Sequence, residues 1–194
     1  MTARHSKTRW PPTACALIRR NGFGLSRGRV GLLDDSFHGP GMTPAPILAF
    51  LSGKRVAVAG VSRSGNQPAN AVFRKLRDCG FDAIPINPHV DQIEGATCYR
   101  DLAAVPGVVD ALMVVTHPDV AESLVRQAAA RGIQKVWFHR SFGEGSVSEA
   151  ALRACTELGI HPIAGGCPLM YCEPIDVGHR CMRWWLGRRG RIPV

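Results

Sequence analysis

The chain lacks any long apolar run. None of its apolar segments approaches the roughly 18 residues that a membrane-spanning helix requires. The basic start of the chain is not followed by the continuous apolar stretch of a secretory signal peptide. With 45% apolar residues and a mean hydropathy of −0.01, the composition is that of a soluble globular protein. We therefore expect a cytoplasmic protein without a membrane partner.

Acidic residues are scarce at both ends of the chain, although the formal net charge of the whole is +9. Residues 1–41 hold seven Lys and Arg against Asp34 and Asp35. After Asp176 there are no acids but five arginines, at positions 180, 183, 188, 189 and 191. Basic charge confined to the ends is typical of solvated termini rather than of a nucleic-acid-binding face. We expect no nucleic-acid partner.

The seven cysteines do not form a disulfide framework in this interpretation. Their number is odd, and Cys79 and Cys155 fall at apolar positions of predicted helices. This pattern favours reduced thiols in the cytoplasm. The series Cys167-x4-Cys172-x6-His179-x-Cys181 matches no common zinc spacing, so no metal is expected.

Composition divides the chain into three parts. Residues 1–41 are rich in Arg, Gly, Pro and Ser without a period, which predicts a disordered basic tail. Met42 resembles a natural start, so the tail is either an over-extended reading frame or a real basic arm. Residues 42–170 are predicted to form the folded domain. Residues 171–194 are predicted to form a helical extension with a basic end.

From residue 54 onward, strand and helix patterns alternate. The predicted strands are 55–60, 82–87, 97–99, 109–115, 135–138 and 160–164, and the predicted helices are 67–79, 119–131 and 147–158. A helical turn is expected at 101–105, and Ser146-x-x-Glu149 is predicted to cap the last helix. Repeated β–α units of this length predict an α/β fold, a doubly wound parallel sheet in a three-layer αβα arrangement.

The first strand ends at a glycine turn with the spacing Gly60-x-Ser62-x-x-Gly65. A buried strand that turns through glycine into a helix directs backbone N–H groups and the positive end of the helix toward one point, which suits a phosphate. The same spacing is also found where a turn only closes a strand–helix corner.

The other strand ends carry hydroxyls, imidazoles, arginines and glycines, and almost no carboxylates. In a doubly wound sheet these ends form the ligand site, so the sequence predicts an anion site there. After the second strand, Asn87-Pro88-His89 stands where an NAD site usually has an acid; this disfavours NAD and tolerates the extra phosphate of NADP or coenzyme A. The candidate binding residues are Gly60, Val61, Ser62, Arg63, Ser64, Gly65, Asn87, Pro88, His89, Thr116, His117, Pro118, His139 and Cys167.

Six segments in chain order carry a family resemblance: 58–63, 85–88, 95–99, 110–112, 135–138 and 158–168. On these residues the segment 54–170 resembles the small CoA-binding domain family and is similar to the CoA-binding domain of the succinyl-CoA synthetase alpha subunit. The resemblance implies a Rossmann-like fold and coenzyme A as the ligand. It implies that Gly60, Ser62 and Arg63 hold phosphates, that Asn87 and Pro88 flank the adenosine, and that residues 116–118 line the pantetheine path. The second domain of that alpha subunit is absent, so its ligase reaction is not implied.

These observations predict a protein that binds CoA or acyl-CoA without catalysing a reaction. No nucleophile with a paired base and no pair of carboxylates is evident. An NADP-dependent oxidoreductase and a regulator that senses CoA or redox state remain as alternatives. Trp184 and Trp185, beside arginines, are predicted either to pack on the domain or to form a surface for a homodimer or protein partner.

Deleting residues 1–41 should leave folding and CoA affinity unchanged, because a disordered tail adds no buried core. Thermal melting and CoA titration of the 42–194 chain beside the full chain measure this. A drop of several degrees, or loss of CoA binding, would mean that the tail packs on the domain.

Overall fold

The computed structural model describes residues 43–140 and 145–191. Its strands are β1 (Arg55–Ala59), β2 (Asp82–Ile86), β3 (Gln92–Ile93), β4 (Ala96–Thr97), β5 (Ala111–Val114), β6 (Lys135–Phe138) and β7 (Ile163–Ala164). Its helices are α1 (Ala45–Leu51), α2 (Pro68–Asp78), α3 (Pro118–Ala130), α4 (Glu149–Glu157) and α5 (Val177–Arg188), with a 3-10 turn at Pro168–Met170. The predicted tail lies outside the described residues, as do Ser141, Phe142 and Gly143.

The main sheet has five parallel strands in the order β2-β1-β5-β6-β7. The chain leaves β1 toward β2 on one side and later returns to place β5 on the other side of β1. The strand order therefore reverses between β1 and β5, which in this class of sheet is where ligands bind. The short strands β3 and β4 form an antiparallel hairpin beyond the end of β2.

Alternate residues of each strand fill two separate cores. Val56 and Val58 of β1 pack on the face covered by α1, α2 and α5. Ala57 and Ala59 pack on the opposite face, which α3 and α4 cover. Every residue of β5 is buried, as expected for a strand enclosed on both faces. The prediction of an α/β, doubly wound, three-layer αβα fold is confirmed.

Trp137 of β6 anchors two parts of the chain that the strand–helix pattern did not place. Its side chain is fully buried, and its indole Nε1–H donates to the carbonyl of Gly165 at 2.7 Å. The ring of Phe50 in α1 packs edge-on against it, with centroids 5.2 Å apart, and Tyr171 lies at 5.9 Å. Helix α1, which the sequence interpretation missed, is thereby held on the sheet.

Several predicted boundaries differ from the structure. Ser148, not Ser146, caps α4, and its hydroxyl accepts from the N–H of Ala151 at 3.1 Å. The helix therefore begins at Glu149, two residues after the predicted start at 147. The last strand is shorter than 160–164, because the N–H of Ile160 still closes the end of α4 by donating to the carbonyl of Cys155. The segment 101–105 forms a turn, as expected, in which the N–H of Val105 donates to the carbonyl of Leu102 at 3.3 Å.

Replacing Trp137 by alanine should lower the free energy of unfolding by about 3–5 kcal/mol, since it removes a buried ring and the contacts of α1. Trp137→Phe keeps a ring but leaves the Gly165 carbonyl unpaired, so its loss should be smaller. Urea unfolding measures both, with the exposed Val108→Ala expected within about 0.5 kcal/mol of the parent. Equal losses for all three variants would contradict this role for Trp137.

Candidate functional site

The turn after β1 is shaped by a close approach of two strands. Gly60 has a φ of +102°, and its N–H donates to the carbonyl of Ile86 in β2 at 3.3 Å. A Cβ at this position would lie 2.1 Å from the carbonyl oxygen of Val115, at the end of β5. Since no side chain tolerates that distance, only glycine lets the chain turn out of the sheet here.

The next residues are held by a buried amide that the sequence interpretation missed. Asn70 of α2 has no exposed surface. Its Oδ1 accepts from the N–H of Ser62 at 3.0 Å, and its Nδ2 donates to the carbonyl of Ser62 at 2.8 Å. The signal was a polar residue among the apolar positions of a predicted helix. Asn70 thus fixes one peptide of the loop from both sides.

Two further side chains hold the same loop. The Nδ2 of Asn87 donates to the carbonyl of Val61 at 2.7 Å, while its Oδ1 accepts from the N–H of His89 at 2.9 Å. Arg74 contacts the carbonyl of Gly65 at 3.2 Å and the carboxylate of Glu94 at 2.6 Å. Because Asn87 donates with one atom and accepts with the other, an aspartate could not make both of its contacts.

The polar groups of the loop remain on its outer side. The hydroxyls of Ser62 and Ser64 lie 3.0 Å apart, and Arg63 is exposed. Within the described part of the chain Arg63 has no hydrogen bond or ion pair. Helix α2 starts at Pro68, and the side chain of Gln67 before it makes no capping hydrogen bond. The first N–H groups of α2 are therefore not capped by the side chain of Gln67.

Two clefts meet at the switch point, and both are lined by Gly60 and Thr116. The first cleft has a volume of about 300 Å³ and lies between the start of α2 and the start of α3. Besides the shared pair, it is lined by Gln67, Pro68, Ala69, Val115, His117, Pro118, His139, Gly145 and Ser146.

The second cleft has a volume of about 290 Å³ and lies between the end of β2 and helix α3. Its polar lining includes Asn87, His89, Arg100 and Gln127. Arg100 pairs with the carboxylate of Asp101 at 3.2 Å and keeps a largely exposed side chain. Of the described residues lining the two clefts, Asp101 is the only carboxylate.

The predicted binding residues are partly brought together. Five line the first cleft: Gly60, Thr116, His117, Pro118 and His139. Asn87, Pro88 and His89 line the second, with Gly60 and Thr116 shared between the two. Val61, Ser62, Arg63, Ser64 and Gly65 form the loop between β1 and α2 without lining either cleft. Cys167 lies apart: it is buried in the core beyond β7 and lines neither cleft. Sequence reasoning missed Gln67, Pro68, Arg100 and Ser146.

The two cleft histidines have different surroundings. His139 is buried, and this burial, with a smaller effect of the charge of His179, lowers its pKa and favours the neutral ring. His117 is exposed and caps α3, where its Nδ1 lies 3.5 Å from the N–H of Asp119 and 3.1 Å from the Asp119 carboxylate.

The described residues can also be searched for metal clusters, disulfides and membrane-spanning helices. In the described ranges, 43–140 and 145–191, no cluster of three or more His, Cys, Asp or Glu side chains is arranged to hold a metal ion. The six cysteines of those ranges are free thiols. None of the helices described is long and apolar enough to cross a membrane.

Comparison with known families agrees with this architecture. The family model for the CoA binding domain matches residues 54–173, which is more than half of the chain. The protein belongs to the CoA-binding domain family. The match begins just before β1 and ends just after the 3-10 turn, so it covers every strand and both clefts.

Individual relatives are distant. The uncharacterized protein YneT of Bacillus subtilis is 24% identical over 106 residues, covering 55% of this chain and 76% of YneT. The ADP-forming acetate–CoA ligase of Methanocaldococcus jannaschii is 27% identical over 81 residues, or 42% of this chain and only 12% of the ligase. A solved structure from Thermus thermophilus is 26% identical with a TM-score of 0.58, covering 73% of this chain and 99% of that one.

Asn70→Ala should lower the free energy of unfolding by about 2 kcal/mol, because it leaves the N–H and carbonyl of Ser62 without their partner. Asn70→Asp should be worse, since a carboxylate cannot donate to Ser62 and would face Glu94. The control is Asn66→Ala, an exposed position of the same loop, expected within about 0.5 kcal/mol of the parent. Urea unfolding and hydrogen exchange of residues 61–65 are the measurements. An unchanged exchange rate in Asn70→Ala would show that the amide does not fix the loop.

Proposed function

We propose that this protein binds CoA or acyl-CoA, with the phosphates at the glycine turn after β1, and that it acts as a non-catalytic or regulatory binding protein in the cytoplasm. The observation that carries the proposal is the junction of the two clefts at Gly60 and Thr116, beside the start of α2. A ligand with a central pyrophosphate and two dissimilar arms matches this arrangement.

The chemistry of each part supports a different part of the ligand. Loop 61–65 offers two hydroxyls and the exposed guanidinium of Arg63 next to a helix N-terminus, which suits phosphate oxygens. The second cleft has the apolar side chains Val120 and Leu124 beside Asn87, Pro88 and His89, which suits an adenosine.

The first cleft supports the pantetheine arm. Pantetheine is uncharged and carries amides and hydroxyls, so it requires neutral polar partners. Thr116, Ser146 and the neutral ring of buried His139 are of that kind. Cys167 is not included in this proposal, because it is buried and lines neither cleft.

A binding role is supported better than catalysis. His117 is engaged in capping α3, and the one carboxylate among the described lining residues, Asp101, is paired with Arg100. The acetate–CoA ligase aligns over a small fraction of its own length, so its reaction is not part of the proposal. We assign binding to residues 42–170, and to the extension 171–194 a role in contacting a second copy or another protein.

Arg100, which lines the second cleft, also suits the ribose phosphate of NADP, and this alternative is tested in the same experiment. Isothermal titration of the full chain with CoA, acetyl-CoA, dephospho-CoA, NAD and NADP is the measurement. We expect binding of CoA or acetyl-CoA and none of NAD. Tight NAD or NADP binding without CoA binding would overturn the proposal.

Arg63→Ala should weaken CoA binding by roughly 1.5–3 kcal/mol, as for the loss of a charged hydrogen bond to phosphate. Arg153→Ala, an exposed arginine of α4, is the matched control and should bind as the parent does. Comparing CoA with dephospho-CoA, which lacks the ribose phosphate, identifies the phosphate that Arg63 contacts. If the change from CoA to dephospho-CoA weakens binding equally in the parent and in Arg63→Ala, Arg63 contacts the pyrophosphate and not the ribose phosphate. Unchanged affinity of Arg63→Ala for both ligands would contradict a phosphate contact.

A further inference from the structure

Helix α5 carries an apolar stripe on its solvent side. Val177, Cys181 and Trp184 are spaced i, i+4 and i+7, so they lie on one line along the helix, and all three are exposed. The exposed fractions of Val177 and Trp184 are 74% and 57%. Trp185, 38% exposed, lies beside the stripe. We call these four residues the outer face of α5.

The opposite side of α5 is fixed to the domain. Leu186 is buried in the same core as α2. The guanidinium of Arg183 lies over the ring of Tyr171 at 4.8 Å and reaches the hydroxyl of Thr43 at 3.3 Å. The outer face therefore cannot turn inward, and within the described residues no other element covers its apolar side chains.

The tryptophans of the outer face are held in place. Arg188 lies over the ring of Trp184 at 4.9 Å, and Arg189 lies over the ring of Trp185 at 4.1 Å. Both pairs are spaced i, i+4 along the helix. Because these rings are already ordered, covering them costs less side-chain entropy than ordering free rings would.

Charge is distributed unevenly along α5. The segment just before the helix carries the exposed acids Glu173 and Asp176, whereas Arg188, Arg189 and Arg191 lie at and just after its end. Asp176 caps the helix by accepting from the N–H of His179 at 3.0 Å, a contact that lowers the pKa of its carboxyl and keeps it charged. The outer face of α5 thus lies between an acidic segment on one side and a basic segment on the other.

We propose that this outer face pairs with the outer face of α5 from a second copy of the chain, antiparallel and about a two-fold axis. The antiparallel arrangement places the basic end of each helix beside the acidic end of the other and covers both apolar stripes. Matching the two ends sets the axis near residue 182, so Arg188 faces the partner's Asp176. The two copies of Cys181 then lie about 3 Å apart along the helix direction.

The size of the surface sets the strength of the pairing. A 12-residue helix is about 18 Å long, so the contact is smaller than the roughly 800 Å² per partner of a standard interface. Trp184 and Trp185 of each copy lie near the centre of the contact and are expected to supply most of the affinity. The dimer is therefore expected to dissociate on dilution.

The test is sedimentation equilibrium of the full chain from about 1 to about 200 µM, a range in which so small an interface dissociates. We expect a monomer–dimer equilibrium that Trp184→Ser weakens about tenfold or more. Val108→Ser, at an exposed apolar position outside α5, is the control and should leave the equilibrium unchanged. A monomer throughout, or a dimer insensitive to Trp184→Ser, would overturn the proposal.

Charge reversal tests the antiparallel direction. Glu173→Arg and Arg191→Glu should each weaken the dimer, and the double variant should restore it, because an axis near residue 182 places Glu173 beside the partner's Arg191 and both side chains are exposed. In a Cys15→Ser background, a short bismaleimide should link two chains through Cys181, and Cys181→Ser should abolish the link. If the double variant does not restore the dimer and the bismaleimide does not link two chains, the dimer forms through another face and the proposal is overturned. Binding of the monomer to anionic vesicles instead would replace the second copy by a membrane surface.

The pairing does not rest on CoA binding. Sedimentation without ligand tests the interface, and calorimetry on Trp184→Ser tests the ligand site. Each proposal can therefore fail while the other holds.

Discussion

The candidate site depends on the pair of hydrogen bonds between the buried amide of Asn70 and the backbone of Ser62. Gly60 lets the chain leave the sheet, but a glycine turn alone has no fixed shape. Asn70 joins the loop to helix α2, and its Nδ2 also reaches Glu94 of the β3–β4 hairpin at 2.9 Å. Loop, helix and hairpin are thus fixed relative to one another by one side chain, which orders the loop before any anion arrives.

The architecture could be predicted because the order of strands and helices follows from the spacing of apolar residues along the chain. A run of apolar residues predicts the buried strand β5, and the spacing of apolar residues predicts the buried side of α2. Glycines mark where the helices end. The family resemblance, which spans similar residues, agrees with the match to the CoA binding domain over 54–173. Where a prediction rested on a single cap, as for Ser146 at α4, the structure differed: that hydroxyl donates to the carbonyl of Thr116 at 2.8 Å.

The details of the site were less predictable because they are long-range contacts. Asn70 and Asn87 act through hydrogen bonds to a loop 8 and 26 residues away, and nothing in the local pattern states that partner. The sequence suggested that Asn87 replaces an acid to suit another cofactor. The structure adds that its amide holds the glycine turn and the N–H of His89, which an aspartate could not do together. Cys167 follows a strand as expected, yet the 3-10 turn after it buries it.

Helix α2 is the element that the two proposals share. Its first turn borders the first cleft, whereas its last turn holds the segment leading to α5: Lys75 donates to the carbonyl of Pro174, and the thiol of Cys79 lies 3.3 Å from the carbonyl of Glu173. Helix α2 therefore contacts both the first cleft and the segment that leads into α5, which offers a physical route for coupling between the two sites. Thermodynamic linkage makes any such coupling reciprocal, so CoA can strengthen pairing only by as much as pairing strengthens CoA binding. The fold therefore supplies the connection, while the sign and size of the coupling depend on whether α2 moves when the phosphate site is filled.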